Sequence, residues 1–222
     1  PKLVRLSQKN ITSNAESIVD YLGLNTSEKS IQSLPMQYSY GLSVINSHLV
    51  AGGTIVLTNN SFMAPDFWVD FDKYKCTSFA GVPFMYETLN RLGFDPIKHP
   101  TLKTMTQAGG SLNPDLTKIF YEKASKAKCR FFTMYGQTEA TARISYVPAE
   151  KLGEKIGSIG IPIPGGEIKL VNIEDGENQK EIVYKGPNVM MGYAESLHDL
   201  KKEDELNSIL HTGDLAKVDQ DG

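Results

Sequence analysis

In Tyr135-Gly136-Gln137-Thr138-Glu139 a flat ring, a glycine, a hydroxyl and a carboxylate follow one another. Tyr135 can stack on a base, Thr138 can hydrogen-bond a phosphate oxygen, and Glu139 can ligate Mg²⁺, whose hard charge prefers carboxylate and phosphate oxygens. The pentapeptide also reads as a surface loop with Thr138 capping a helix. Ala108-Gly109-Gly110-Ser111 offers two glycines where a planar ligand can approach the backbone closely, or equally a plain strand-to-helix turn before the helix cap Asn113. In His211-Thr212-Gly213-Asp214 the Asp214 carboxylate can accept hydrogen bonds from two neighbouring ribose hydroxyls; the alternative is an Asp in a turn, with His211 orienting it.

These segments need a scaffold, and hydrophobic periodicity supplies one. Helical and strand patterns alternate over the first two thirds of the chain, which predicts an α/β fold of layered βα units with a mostly parallel sheet. Asn10 or Thr12 caps a helix running to about Leu22, and Ile31 to Leu34 reads as a strand stopped by Pro35. A helix over Gly41 to Val50 precedes a strand over Thr54 to Leu57. The rhythm repeats with a helix over Phe67 to Tyr74, a strand over Thr77 to Ala80 and a helix from Pro83. Further on come a strand over Lys103 to Gln107, a helix over Pro114 to Ala127, and a strand from Cys129 ending near Thr133. Ligands in such sheets gather at the carboxyl ends of strands, where the segments at 108 and 135 fall. From Gly157 to Gly166 prolines and glycines break regular structure. We therefore expect an α/β part over residues 1–155 and a small antiparallel β-rich subdomain over 156–222, with hairpin strands at Glu167 to Val171 and Glu181 to Tyr184 around the polar stretch Glu174 to Lys180.

Composition narrows the classes of function. The chain has 222 residues, 40% hydrophobic and 22% charged, with a formal net charge of −3. That balance is globular and lacks the basic field that nucleic acid requires. No apolar run reaches the roughly 18 residues of a membrane span, and the opening residues lack the apolar core of a signal peptide, so the reading is a cytoplasmic protein. Cys76 and Cys129 are far apart and read as buried free thiols, and the four histidines lack metal-ligand spacing. Trp68 reads as core, and Lys201 to Glu205 as a solvated helix face. Pro1-Lys2 without an initiator Met, and a probable strand running into Asp221-Gly222 without its return strand, give the expectation of a piece of a longer protein.

Taken together, Tyr135 to Glu139, Gly157-Ser158-Ile159-Gly160-Ile161-Pro162, Lys185-Gly186-Pro187-Asn188-Val189-Met190-Met191-Gly192-Tyr193 and His211 to Asp214 resemble, in this order, the AMP-forming adenylating superfamily of acyl-CoA synthetases. The resemblance spans essentially the whole chain, with Pro1-Lys2 looking like the end of that family's phosphate loop. It implies an enzyme in which a carboxylic acid attacks the α-phosphate of ATP to give an acyl-adenylate and pyrophosphate, after which a thiol takes the acyl group: CoA, or in an alternative reading the phosphopantetheine arm of a carrier protein. It implies ATP/AMP and Mg²⁺ at this site. Glu139 would hold the metal, Thr138 the phosphate, Tyr135, Gly136 and Gln137 with the Gly109-Gly110-Ser111 turn the nucleotide base, and Asp214 the ribose. It places Tyr38 near the reacting carboxylate, in a substrate segment with Tyr40 and Gly41; core packing is the other reading of Tyr38 and Tyr40. Thr133 stands where some members carry an adenine-facing Asn. The family's mobile C-terminal domain and its catalytic Lys lie beyond Gly222, so the chain alone is expected to be inactive, and a non-catalytic binding domain is the reading from another class.

An amino-acid substrate would need an acidic partner for its ammonium group. Between Glu28 and Asp66 there is no Asp or Glu. The aromatic and aliphatic residues Tyr38, Tyr40 and Leu42 favour a less polar acid.

Overall fold

A computed structural model describes residues 3–172 and 180–221. In chain order the elements are β1 (Leu3–Arg5), α1 (Gln8–Leu22), β2 (Lys29–Ile31), α2 (Ser39–Val50), β3 (Thr54–Val56), α3 (Pro65–Lys73), β4 (Ser78–Gly81), α4 (Pro83–Arg91), β5 (Thr104–Gln107), α5 (Pro114–Lys126) and β6 (Arg130–Tyr135). They continue with β7 (Ser145–Tyr146), β8 (Ile161–Pro162), β9 (Glu167–Asn172), β10 (Lys180–Lys185), β11 (Gly192–Ala194) and β12 (Ile209–Ala216). The expected polar stretch at 174–180 falls, except for Lys180, outside the described residues, as do Pro1, Lys2 and Gly222.

Helix starts follow local chemistry. Ser7, not Asn10 or Thr12, caps α1: its Oγ accepts the Asn10 amide while the Asn10 side chain accepts the Ser7 amide, a reciprocal box that begins the helix earlier than apolar spacing suggests. Pro65, Pro83 and Pro114 each open a helix at its first turn, where the missing N–H costs nothing. Asn113 caps α5 as expected, accepting from the Asp115 and Leu116 amides.

The main sheet has the order β3-β2-β4-β5-β6-β7-β8. Its first five strands are parallel and the last two pairings antiparallel, so the chain is α/β with a mostly parallel sheet. β4 and β5 are buried along their whole length, the condition that lets parallel strands read as continuous apolar or small-residue runs. β2 lies two residues earlier than expected because its ladder to β3 starts at Lys29 opposite Thr54. Beyond it Ser33 Oγ donates to the Ala80 carbonyl at 2.5 Å and turns the chain toward Pro35.

The core between sheet and helices contains the fully buried rings of Phe67, Phe71, Phe79, Tyr86, Phe120 and Phe131, each contributing about 1.5–3 kcal/mol. Trp68 packs against this core and donates its indole N–H to the Phe62 carbonyl. Cys76 and Cys129 are buried and unpaired with each other.

A second sheet has the order β12-β10-β9, all antiparallel. β7 and β8 of the main sheet lie on either side of Gly157 in sequence, and β1 pairs with β11. Arg5 on β1, 6% exposed, donates to the carbonyls of Tyr193, Met191, Lys202 and Glu203 and to the Glu205 carboxylate at 2.6 Å. Lys201 to Glu205 is therefore not the helix face its charge pattern suggested: a 3₁₀ turn at Leu197–Lys201 ends there and the chain wraps the guanidinium. Among the described residues no helix is long and apolar enough to cross a membrane.

Candidate functional site

β6 extends to Tyr135, past the expected end at Thr133, because β7 pairs with its last residues, Tyr146 opposite Met134 and Ser145 opposite Tyr135. Tyr135 is thus held by the ladder rather than carried on a loop. At Gly136 the chain turns so tightly that a Cβ would collide with the Ala142 carbonyl. The Ala140 and Ala142 amides both donate to the Gln137 carbonyl, closing a compact loop around a 3₁₀ turn at Thr138–Ala140. Thr138 caps no regular helix. Its hydroxyl lies 3.1 Å from Ser39 Oγ at the start of α2.

A few side-chain contacts gather the separate segments. The Tyr38 hydroxyl sits against Gly109, whose φ of +79° and lack of side chain make that approach feasible. Tyr135 donates its hydroxyl to Asp214 Oδ2 at 2.5 Å, and Gln137 Nε2 donates to the same oxygen at 2.8 Å and to the Thr212 carbonyl at 2.9 Å. Burial, and then the bonded Asp214 carboxylate, raise the Tyr135 pKa, so the phenol stays protonated and acts as donor. Tyr193 donates to Glu139 Oε1 at 2.8 Å. Residues 38, 109, 135, 138, 139 and 214 therefore edge one face at the carboxyl ends of β5 and β6.

Asp214 does not sit in a turn. It lies within β12, where the register against β10 shifts between Glu181 and Val183 and the strand bulges outward. Glu181 pins the bulge: Oε1 accepts the Gly213 amide at 2.9 Å and Oε2 pairs with His211 Nδ1 at 3.1 Å. The Gly213 amide first and His211 second hold the Glu181 carboxyl below its ordinary pKa. Sequence reasoning missed the bulge because a two-residue slip in pairing leaves no mark on residue types.

The remaining expected residues separate into surface and interior. Gly109, Gly110 and Ser111 are exposed in a turn shaped by Gln107, whose Nε2 donates to the Gly110 carbonyl at 2.8 Å. Tyr40 is 2% exposed and donates to the Thr106 carbonyl at 2.9 Å, and Gly41 is pressed against the Pro35 carbonyl. Tyr40 and Gly41 thus lie beneath the face that Tyr38 edges. Leu42 is exposed.

The profile described as AMP-binding enzyme matches residues 1–194. The chain belongs to the AMP-binding enzyme family. It is 32% identical to an oxalate–CoA ligase of Arabidopsis thaliana over 231 aligned residues, covering 100% of this chain and 44% of that protein. It is 30% identical to a 2-succinylbenzoate–CoA ligase of Bacillus cereus, covering 100% of this chain and 45% of that protein. Among solved structures, o-succinylbenzoate CoA synthetase (MenE) from Bacillus subtilis in complex with the acyl-adenylate intermediate OSB-AMP superposes with a TM-score of 0.84 at 27% identity, covering 100% of this chain and 45% of that one. The chain spans less than half the length of these relatives.

Within this AMP-binding fold, Asn188 is a structural residue that sequence reading quoted without assigning. It is 1% exposed. Its Nδ2 donates to the Ala140 carbonyl at 2.7 Å and the Arg143 carbonyl at 2.8 Å, and its Oδ1 accepts from Tyr184 at 2.8 Å. Thr141 Oγ1 donates to its carbonyl at 2.6 Å, and the Met190 amide donates to the Glu139 carbonyl at 2.8 Å. The available signal was an amide inside the apolar Val189-Met190-Met191 context. Ser39 lies between Tyr38 and Tyr40, and Tyr193 ends one of the motifs that carry the resemblance, whereas Arg5 carried no signal at all.

Proposed function

We propose that the protein containing this chain is an AMP-forming acid–CoA ligase and that the face edged by Tyr38, Gly109, Tyr135, Thr138, Glu139 and Asp214 receives the nucleotide. The supporting observation is the convergence on Asp214: Tyr135 and Gln137, from the end of the parallel sheet, both bind one carboxylate carried by the antiparallel sheet. A carboxylate held by two donors is oriented to accept the adjacent hydroxyls of a ribose.

In the proposed reaction a carboxylate oxygen of the acid attacks the α-phosphorus of Mg·ATP, the bond to the bridging oxygen breaks, and pyrophosphate leaves. The CoA sulfur then attacks the acyl carbon, the acyl–phosphate C–O bond breaks, AMP leaves, and the thiol proton passes to solvent. Such transfers depend on positioning and charge compensation rather than on covalent help from the protein. Thr138, beside Ser39, offers a hydroxyl to a phosphate oxygen. Glu139 offers a hard oxygen to the magnesium ion of the substrate. Among the described residues no cluster of three metal-binding side chains exists, and a lone carboxylate fits a cation that arrives with phosphate oxygens and water as its other ligands. Bound there, magnesium would compensate phosphate charge. Tyr38 stands where the reacting carboxylate would meet the nucleotide.

The names of relatives extend to oxalate, 2-succinylbenzoate, feruloyl and long-chain fatty acid ligases and agree on CoA as acceptor, which favours CoA over a carrier protein here. A pyrophosphate-release screen of the full-length protein with ATP, CoA and a panel of carboxylic acids tests the proposal. Release dependent on one acid, with AMP and a thioester formed in equal amount, is expected; ADP formation, or no release with any acid, contradicts it.

A further inference from the structure

Glu139 is gripped twice by one stretch of chain. The Met190 amide donates to its carbonyl at 2.8 Å, and the Tyr193 hydroxyl donates to its Oε1 at 2.8 Å. That stretch is itself fixed. β11 pairs antiparallel with β1, Tyr193 opposite Val4, and the Met191 amide donates to the Arg5 carbonyl at 2.9 Å. The buried Arg5 guanidinium binds the carbonyls on either side of Gly192, that of Met191 at 2.9 Å and that of Tyr193 at 3.2 Å. Gly192 has a φ of +128°, and a Cβ there would meet Arg5 Nη2 and the Glu205 carboxylate, so only glycine lets the guanidinium approach this backbone. The exposed Tyr193 ring therefore reaches Glu139 from a backbone held by a ladder and a buried cation. The bond to Glu139 first, and burial second, raise the Tyr193 pKa, so the phenol keeps its proton and donates it.

The two oxygens of this carboxylate differ. Oε1 takes the phenol, whereas among the described residues no donor bonds Oε2. Nor does any Lys, Arg or His among the described residues pair with the group. A neutral donor fixes the rotation of the carboxylate and occupies lone-pair space on one oxygen, yet leaves the full negative charge for a cation. We propose that Tyr193 is a positioning residue that makes Glu139 a one-oxygen ligand, through Oε2, for the cation of the metal–ATP substrate, and that it thereby selects magnesium over calcium. The proposal rests on the ligase reading and deepens it by naming what sets the metal preference. Magnesium demands near-octahedral geometry built from single oxygens, whereas calcium readily takes both oxygens of one carboxylate. A carboxylate whose second oxygen is engaged by a phenol suits the first ion and handicaps the second.

The test compares the full-length protein with Tyr193→Phe, which removes one oxygen from an exposed ring and leaves the backbone pairing of β11 in place. ATP is titrated by calorimetry without any acid substrate, first in excess Mg²⁺ and then in excess Ca²⁺, with AMP in EDTA as the metal-free reference. Wild type should bind ATP more tightly with magnesium than with calcium. Tyr193→Phe should weaken Mg·ATP binding about fivefold and leave Ca·ATP binding unchanged or tighter, with AMP affinity and the thermal midpoint unchanged. In a Glu139→Gln background the same substitution should leave the magnesium-to-calcium ratio where Glu139→Gln alone puts it, because the phenol acts through the carboxylate. An unchanged ratio in Tyr193→Phe overturns the positioning role and leaves the ligase reading intact. So does tighter Mg·ATP binding in that variant, a loss of AMP affinity equal to the loss for Mg·ATP, or a wild type that favours calcium. No binding of ATP by the wild type with either metal overturns both.

Discussion

Tyr135 ends a strand held between two neighbours, β5 and β7, whereas Asp214 rides on a bulge of β12, the edge strand of a three-stranded sheet. The first is placed by buried packing and a ladder. The second is placed by a few polar contacts at the surface: Tyr135, Gln137 and, through Gly213 and His211, Glu181. Substitutions in the two regions should therefore fail differently. Near the end of the parallel sheet they should cost folding; on the bulge they should cost nucleotide affinity with the fold intact.

The sharpest break of that contrast is Gly136→Ala. The added Cβ meets the Ala142 carbonyl, so the loop carrying Thr138 and Glu139 must move, and we expect a loss of about 3 kcal/mol, measured by urea unfolding. Asn188→Ala follows. Two carbonyls and the Tyr184 hydroxyl lose a buried partner, for an expected loss of about 2 kcal/mol in the same assay.

The interior also sets a pH dependence. Burial pushes the Cys76 thiol up to about 11 and the Cys129 thiol up to about 12. Because the unfolded thiols ionise near 9, the stability these groups contribute is complete below that pH and is lost as pH rises through the folded values. Unfolding free energy should fall by about 1 kcal/mol per thiol by pH 10, and Cys→Ala variants should flatten the curve. On the exposed bulge, Glu181→Gln should change stability by only about 0.5 kcal/mol yet weaken AMP binding, as calorimetry would show.

What the sequence made legible follows the same division. The helices opened by Pro83 and Pro114, the Asn113 cap and the run of parallel strands come from signals within one segment. That alternation also places the segment 135–139 next to the carboxyl end of a parallel strand, though not Tyr135 within it. What stayed hidden depends on partners distant in sequence. The start of α1 is set by Ser7, and the end of β6 by β7. The course of Lys201 to Glu205 is set by Arg5 nearly two hundred residues upstream. Asp214 was legible as a carboxylate but not as a strand residue, since the bulge exists only in its register with β10.

Titration of the protein with AMP by isothermal calorimetry, wild type beside Asp214→Ala, asks whether the two sheets form one nucleotide site. We expect wild-type binding, at least about tenfold weaker in Asp214→Ala, with no more than a small change in the thermal midpoint. Equal affinity in the two proteins, or no binding by the wild type, would contradict a shared site.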